Sequence, residues 1–188
     1  GLARGGLLPV ICIYSTFMQR AVDQLIHDIS LQKLHAVIVL DRAGAVPNDG
    51  ETHQGVFDIA LFRPVPGITI MSPATAVDLD ICLRYAVNAE GAVVIRYPKM
   101  SCPSEQPSFS LPAETGRGVL VTASEFCPSL EVSLEDDVAV KNVLFVTTGG
   151  MFSEVTVASR SLLMKNIIAD IYTLRFIKPF DSEYFLEI

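Results

Sequence analysis

Asp49 and His53 stand four positions apart in the stretch DRAGAVPNDGETHQG, residues 41–55. A carboxylate near an imidazole can act as a general acid/base pair, because imidazole titrates near neutral pH and the carboxylate can orient it. The same two side chains could ligate a metal, and a polar surface loop rich in turn formers has the same composition. Arg20, Arg42 and Arg96 add guanidinium forks, which match phosphate and carboxylate groups bidentately. Ordinary ion pairing with acids such as Asp23 or Asp41 would use the same groups. For Arg20, on the polar side of a predicted helix, that structural reading is the one the residues alone favour. Tyr14 and Phe17 flank a predicted helix start and could stack on an aromatic ligand, although Phe17 also begins an apolar stripe that reads as core. His27 and His35 have no partner pattern and read as structural.

These residues need elements to bring them together. LLPVICIY reads as a buried strand, and STFMQRAVDQLIHDISLQ as a helix with Ser15 or Thr16 as its N-cap. AVIVLD is a second strand, VFDIALFR a short helix stopped by Pro64 and Pro66, and ITIMSP a third strand. TAVDLDICLRYAVNAEG is a helix ending at Gly91, followed by the strand AVVIRY. Strands without polar interruption that alternate with helices predict an α/β fold, a parallel sheet with helices on both faces. Ligands in such sheets sit at the carboxyl ends of the strands. Tyr14, the 41–55 loop and Arg96 all fall at such ends.

Residues 98–112, PKMSCPSEQPSFSLP, read as an extended linker. The chain divides into a domain over 1–97, a linker over 98–118 and a second, partial α/β domain over 119–188. In that second part GVLVTAS, VLFVTT and IIADIYTLRF read as strands, and LEVSLEDDVAVKN as an acidic irregular stretch. Gly149-Gly150 reads as a turn, FSEVTVASRSLLMK as a helix and DSEYFLEI as a helix start capped by Asp181 or Ser182.

Composition removes several function classes. Half of the residues are apolar, 19% are charged and the formal charge is −7 with no basic block. That predicts a packed globular protein and disfavours duplex nucleic acid as a partner. No apolar run approaches the roughly 20 residues that span a bilayer. Cys12, Cys82, Cys102 and Cys127 form no C-x-x-C pair, so a structural zinc site is not expected and a reducing cytoplasm fits. There is no G-x-S-x-G, and VTTGGMFSEV lacks the G-x-G-x-x-G dinucleotide fingerprint.

IYSTFMQRAVDQLIHDISLQKL, the DRAG-x-V-x-x-DG-x-THQG-x-FD pattern and VIRYPK, in that order and spacing, resemble the 1-deoxy-D-xylulose-5-phosphate synthases. These are thiamine-diphosphate enzymes of the transketolase superfamily. The resemblance covers residues 1 to 100 best and identifies the first domain as a pyrimidine-binding domain lacking its N-terminal part. VLFVTTGG and ADIYTLRFIKPFD resemble the start of the transketolase C-terminal domain. The resemblance implies condensation of pyruvate with D-glyceraldehyde 3-phosphate, with loss of carbon dioxide, for isoprenoid, thiamine and pyridoxal biosynthesis in a bacterial cytoplasm. It implies that Phe17 stacks on the cofactor's aminopyrimidine, with Tyr14 and Arg20 beside cofactor and substrate. Arg42 and Arg96 would grip the acceptor's phosphate, while Asp49 and His53 bind substrate and assist proton transfer.

The departures from the family pattern are equally specific. Lys99 stands where the family has Arg, Met100 where it usually has Gly, and Pro47 at another usual Gly position. The family's cofactor-activating glutamate belongs to a G-I-A-E-Q-H-type motif expected upstream of Gly1. The magnesium- and diphosphate-binding G-D-G region is expected in a separate N-terminal domain, so no metal residue is assigned here. The expectation is therefore a fragment of the synthase, inactive alone, working with the rest of that chain and prone to homodimerise or self-associate. A non-catalytic interaction module of the same fold, or a subunit of another transketolase-like or 2-oxoacid dehydrogenase enzyme, are the alternatives.

Overall fold

Ala36–Asp41 (β2) and Ala92–Arg96 (β4) are apolar almost throughout, and only a strand covered on both faces can use such sequences. The computed structural model, which describes residues 1–127 and 141–188, places them side by side at the centre of a five-stranded sheet. Its order is β1-β2-β4-β3-β8, with β1 Val10–Tyr14, β3 Ile68–Met71 and β8 Phe176–Lys178. The first four strands are parallel. β8 runs antiparallel against β3. A second sheet has the order β5-β7-β6, built from Val119–Val121, Ile167–Leu174 and Lys141–Thr148. There β6 is parallel and β5 antiparallel to β7.

The period of two along a strand sorts side chains between faces. Ile38, Leu40, Ala92 and Val94 pack with Met18, Leu25 and Phe62 under the helices of 15–30 and Asp58–Phe62. Val37, Val39, Val93 and Ile95 pack with Cys82 and Ala86 of the helix Ala76–Asn88 on the other face. Helices do cover both faces of the parallel strands. The second sheet has its own cluster, including Val119, Val121, Phe126, Phe152 and Ile171.

Several elements depart from the sequence reading. β1 is an edge strand with Val10, Ile11 and Cys12 exposed, not buried, because nothing pairs its outer side among the described residues. The 15–30 helix is not uniform: α over Ser15–Met18, 3-10 over Gln19–Ala21, α again over Val22–Gln24, then π over Leu25–Ser30. Neither Ser15 nor Thr16 caps it; the N-cap position is Tyr14, with no side-chain cap bond. The 98–112 linker is not excluded from the core, since Phe109 is fully buried in the second sheet's cluster. Gly149-Gly150 begins a 3-10 turn running directly into the helix Phe152–Leu163. A Cβ at Gly149 would lie 2.2 Å from the Pro73 carbonyl oxygen, so only glycine permits the chain to pass there. Asp181 caps the last helix, accepting from the Tyr184 N–H. The acidic stretch read as irregular falls largely on 128–140, outside the described residues.

Residues 176–178 carry the later part of the chain back to β3. At the corner between β7 and β8, Arg175 donates from Nε to Asp78 Oδ1 at 2.6 Å, with both side chains buried. Burial pushes the Asp78 carboxyl up, against the opposing pull of Arg175. Removing one partner of such a pair leaves an uncompensated buried charge. Asp78→Ala is expected to lower stability by about 3–5 kcal/mol, measured as the shift in urea unfolding; a loss under about 1 kcal/mol would show that the pair does not join the two sheets.

Candidate functional site

β1 ends at Tyr14, β2 at Asp41 and β4 at Arg96, and the parallel register aligns Tyr14 with Asp41 and Leu40 with Arg96. Three segments thus arrive at one rim. The 41–55 loop leaves β2 and returns through an isolated bridge between Gly44 and Gly55. Two non-glycine residues in it, Arg42 (φ 56°) and Asn48 (φ 63°), adopt left-handed backbone. That conformation is costly for side-chain-bearing residues and persists only where neighbours hold it.

Those neighbours are specific. Gln54 accepts from the Val46 N–H at 2.7 Å and donates to the carbonyls of Val46, Asp49 and Gly50. Ser15 donates to Gly55 O and Thr16 to Thr52 O. The two hydroxyls expected to cap the helix instead tie it to the loop. Gly55 is required by close approach: a Cβ there would meet Arg42 O at 2.3 Å and Ser15 Cβ at 2.7 Å.

The rim carries an aromatic group and a charge network. Tyr14 and Phe17 stack with ring centroids 5.4 Å apart, and His53 meets Phe17 edge-on at 5.4 Å. Phe17 is 41% exposed, so it is not the core residue its place in the apolar stripe suggests. His53 Nδ1 lies 3.0 Å from Thr52 Oγ1. The Arg42 guanidinium sits 3.9 Å above the Tyr14 ring, a cation–π geometry. Asp41 anchors it from behind through Oδ2 at 2.9 Å and accepts the Arg42 backbone N–H at 2.7 Å. Asp49 bridges two cations, with Oδ2 3.0 Å from Arg42 Nε and Oδ1 3.0 Å from Lys99 Nζ. The Lys99 ammonium, seconded by Arg42 and opposed by partial burial, holds the Asp49 carboxyl below its ordinary value.

Tyr14, Phe17, Arg42, Asp49 and His53 are therefore brought together. Arg96 is close in sequence register but engaged below: its Nε donates to Asp58 Oδ2 at 2.7 Å and its Nη1 to Ser72 Oγ at 3.4 Å. Arg96 is 7% and Asp58 2% exposed. Arg20 is exposed, lies in the 3-10 turn of Gln19–Ala21 and pairs with no acid among the described residues. The residues alone do not single out Gln54, Asp58 or the bridging role of Lys99. Strand parity was a usable signal for Asp58, because Arg96 shares a β4 face with Ala92 and Val94, under the helix that begins at Asp58. Gln54 stands in the THQG part of the family pattern, which gives it no role as the loop's strut.

The family model of the transketolase pyrimidine-binding domain matches residues 1–105. The chain is 50% identical over 188 residues to a 1-deoxy-D-xylulose-5-phosphate synthase of Treponema pallidum, covering 100% of this chain and 28% of that protein. It is 40% identical over 182 residues to the synthase of Dictyoglomus thermophilum, covering 96% of this chain and 27% of the relative. The chain thus spans little more than a quarter of the length of these relatives. Among solved structures, a split-gene transketolase described as an inactive β4 tetramer superposes with a TM-score of 0.78 at 26% identity, over 98% of this chain and 55% of that one. A Pichia stipitis transketolase superposes with a TM-score of 0.73 at 18% identity, over 95% of this chain and 25% of that one, a likeness of fold.

Two outcomes test the geometry. Gln54→Ala removes the strut and should broaden or shift the amide resonances of 46–53 while leaving those of β2 and β4 in place; an unchanged loop spectrum would refute the role. The two cations depress the Asp49 carboxyl, so the bridge's contribution is fully present above the unfolded value of about 4 and is lost as pH falls through the lower folded value. The Asp49 side-chain carboxyl resonance should accordingly stay in its ionised position from pH 7 down to about 4; a midpoint above that would contradict the bridge.

Proposed function

The chain belongs to the transketolase pyrimidine-binding domain family, and from that premise we propose that it forms part of a thiamine-diphosphate-dependent synthase. The reaction is condensation of pyruvate with D-glyceraldehyde 3-phosphate to 1-deoxy-D-xylulose 5-phosphate with loss of carbon dioxide, serving isoprenoid, thiamine and pyridoxal biosynthesis. Identity of 50% to the Treponema pallidum synthase along the whole chain supports this choice within the superfamily. The observation that carries the site is the exposed Phe17 ring beside His53 and the Arg42–Asp49–Lys99 network.

The residues present fit the cofactor. Phe17 offers an exposed ring backed by Tyr14, which suits stacking on a flat heteroaromatic such as an aminopyrimidine. When bound, thiamine diphosphate supplies the electron sink for decarboxylation and carbon–carbon bond formation. Phe17 and Tyr14 orient its pyrimidine, and Arg20 lies on the adjoining turn, beside cofactor and substrate. Arg42 faces the acceptor's phosphate with a guanidinium already fixed by Asp41 and Tyr14. Arg96 stands behind it on its Asp58 anchor, with Nη2 toward Gly44. Asp49 accepts from substrate hydroxyls. His53, with Nδ1 engaged by Thr52, gives and takes the substrate proton at Nε2.

Magnesium, which accompanies the diphosphate in the family, finds no group of three or more His, Cys, Asp or Glu side chains among the described residues. We assign it to none of these positions and place it with the rest of the synthase chain. We also place the protein in the bacterial cytoplasm as a homodimer or larger self-association. No helix among the described residues is long and apolar enough to cross a membrane. Val10 and Ile11 on β1, and Val143, Leu144 and Val146 on β6, are exposed apolar residues on two sheet edges, surfaces that favour association. A second reading, a subunit of a two-chain transketolase, draws on the likeness to the split-gene protein over 98% of this chain.

Replacing the matching segment of the Treponema pallidum synthase with these 188 residues tests the proposal. The chimera should form 1-deoxy-D-xylulose 5-phosphate. In it, His53→Ala should lower kcat by about 10²–10⁴-fold and Phe17→Ala should weaken cofactor binding. A chimera inert with pyruvate but able to transfer a two-carbon unit from a ketose phosphate would favour the second reading instead.

A further inference from the structure

Two histidines present a ring nitrogen to a neutral oxygen, with different consequences. His35 Nε2 lies 2.8 Å from the Ala86 carbonyl oxygen, which can only accept, so His35 carries its hydrogen on Nε2. His53 Nδ1 lies 3.0 Å from Thr52 Oγ1, a hydroxyl that can donate or accept. A carboxylate is the usual orienter of a proton-transferring imidazole, yet His53 has none among the described residues. Asp49, the acid four positions away, has its oxygens engaged by Arg42 and Lys99.

The rest of the ring's surroundings are fixed. The Thr52–His53 peptide is tied at both ends: its carbonyl accepts from Thr16 Oγ1 at 2.9 Å, and its N–H donates to Gly50 O at 3.0 Å. The ring stands edge-on to Phe17 and to Tyr14, at 5.4 and 6.5 Å between centroids. Its Nε2 makes no hydrogen bond among the described residues, and the ring lines an open pocket with Tyr14, Arg42, Asn48, Asp49 and Gly50.

The direction of the Thr52 bond decides what Nε2 can do. If Oγ1 donates, Nδ1 is bare and Nε2 already carries a hydrogen, so it cannot take another. If Oγ1 accepts, the hydrogen sits on Nδ1 and the Nε2 lone pair is free. Thr52 is exposed, so its own hydroxyl hydrogen can go to water. Only the accepting direction survives the transfer. When Nε2 takes a proton, the imidazolium keeps Nδ1–H on Oγ1; when Nε2 returns it, the same bond remains and nothing has to reorient. A carboxylate in this place would stabilise the imidazolium and retain the proton. A hydroxyl orients the ring and lets the proton leave.

We propose that Thr52 is a positioning residue: its Oγ1 accepts from His53 Nδ1–H, sets the tautomer less common for free histidine and leaves Nε2 as the base. The role in turnover rests on the synthase reading, whereas the tautomer belongs to this chain alone.

The test has two arms. In the 188-residue chain, nitrogen-15 spectra of the neutral imidazoles should show His53 protonated on Nδ1 and His35, the internal reference, on Nε2. Thr52→Val, which keeps the shape and removes the hydroxyl, should move the His53 hydrogen to Nε2, and Thr52→Ser should keep it on Nδ1. Backbone amide resonances of 46–51 should stay in place in both variants. In the chimeric synthase, Thr52→Val should lower kcat by about tenfold or more, short of the 10²–10⁴-fold for losing the imidazole. KM for both substrates should stay within about twofold, and Thr52→Ser should hold kcat within about threefold. An Nε2–H tautomer in the unaltered chain, an unmoved hydrogen in Thr52→Val, or Thr52→Ser as impaired as Thr52→Val would each overturn the proposal. So would displaced loop amides or a rise in KM at unchanged kcat, which mark a merely structural residue. A chimera inert before any change at Thr52 overturns the synthase reading and the role in turnover together, and the spectra of the isolated chain then decide the tautomer by themselves.

Discussion

One buried guanidinium joins the two sheets and, through them, the floor of the site. Arg175 donates from Nε to Asp78 Oδ1, from Nη1 to the carbonyls of Leu111 and Pro112, and from Nη2 to that of Phe109. Its own carbonyl accepts the N–H of Ser72, at the end of β3. Asp78 in turn accepts the N–H of Ala74 through its second oxygen. The start of a helix, the end of a strand, the 98–112 segment and the β7–β8 corner are thus held by a single charge pair. Water cannot replace those bonds at such burial, which is why loss of either partner is severe while both together can be nearly neutral.

From this keystone the order passes to the rim. Ser72, fixed by Arg175, receives a bond from Arg96, whose other partner is the buried Asp58. The two buried arginines act as struts, whereas Arg42 is half-buried and Lys99 exposed at the rim. The division follows from strand parity. Arg96 lies on the face of β4 that packs under the Asp58–Phe62 helix, whereas Arg42 and Lys99 lie past their strand ends.

Preorganisation of the loop is achieved by side chains, not by regular structure. Left-handed backbone at Arg42 and Asn48 is unfavourable locally and is held by Gln54, Ser15 and Thr16. These bonds also tie the aromatic helix start to the His53 loop. That coupling explains why Ser15 is fully buried at a helix start without capping it.

The strands β2, β3 and β4, the helices between them and the strand-end location of the 41–55 loop were legible in the residue pattern, because apolar periodicity reports burial directly. So were Tyr14, Arg42, Asp49 and His53 as one group, since parallel strands deliver their ends to one rim. Beyond that, local sequence is silent about partners far along the chain. Arg175 and Asp78 are 97 positions apart, Lys99 and Asp49 are 50, and Arg96 and Asp58 are 38. Whether Phe17 is buried or exposed, whether β1 is covered or an edge, and which arginines are buried in ion pairs were decided by tertiary packing. Burial and pairing are properties of the neighbours the fold brings together, and a charge has a fixed chemistry but no fixed partner until the chain has closed around it.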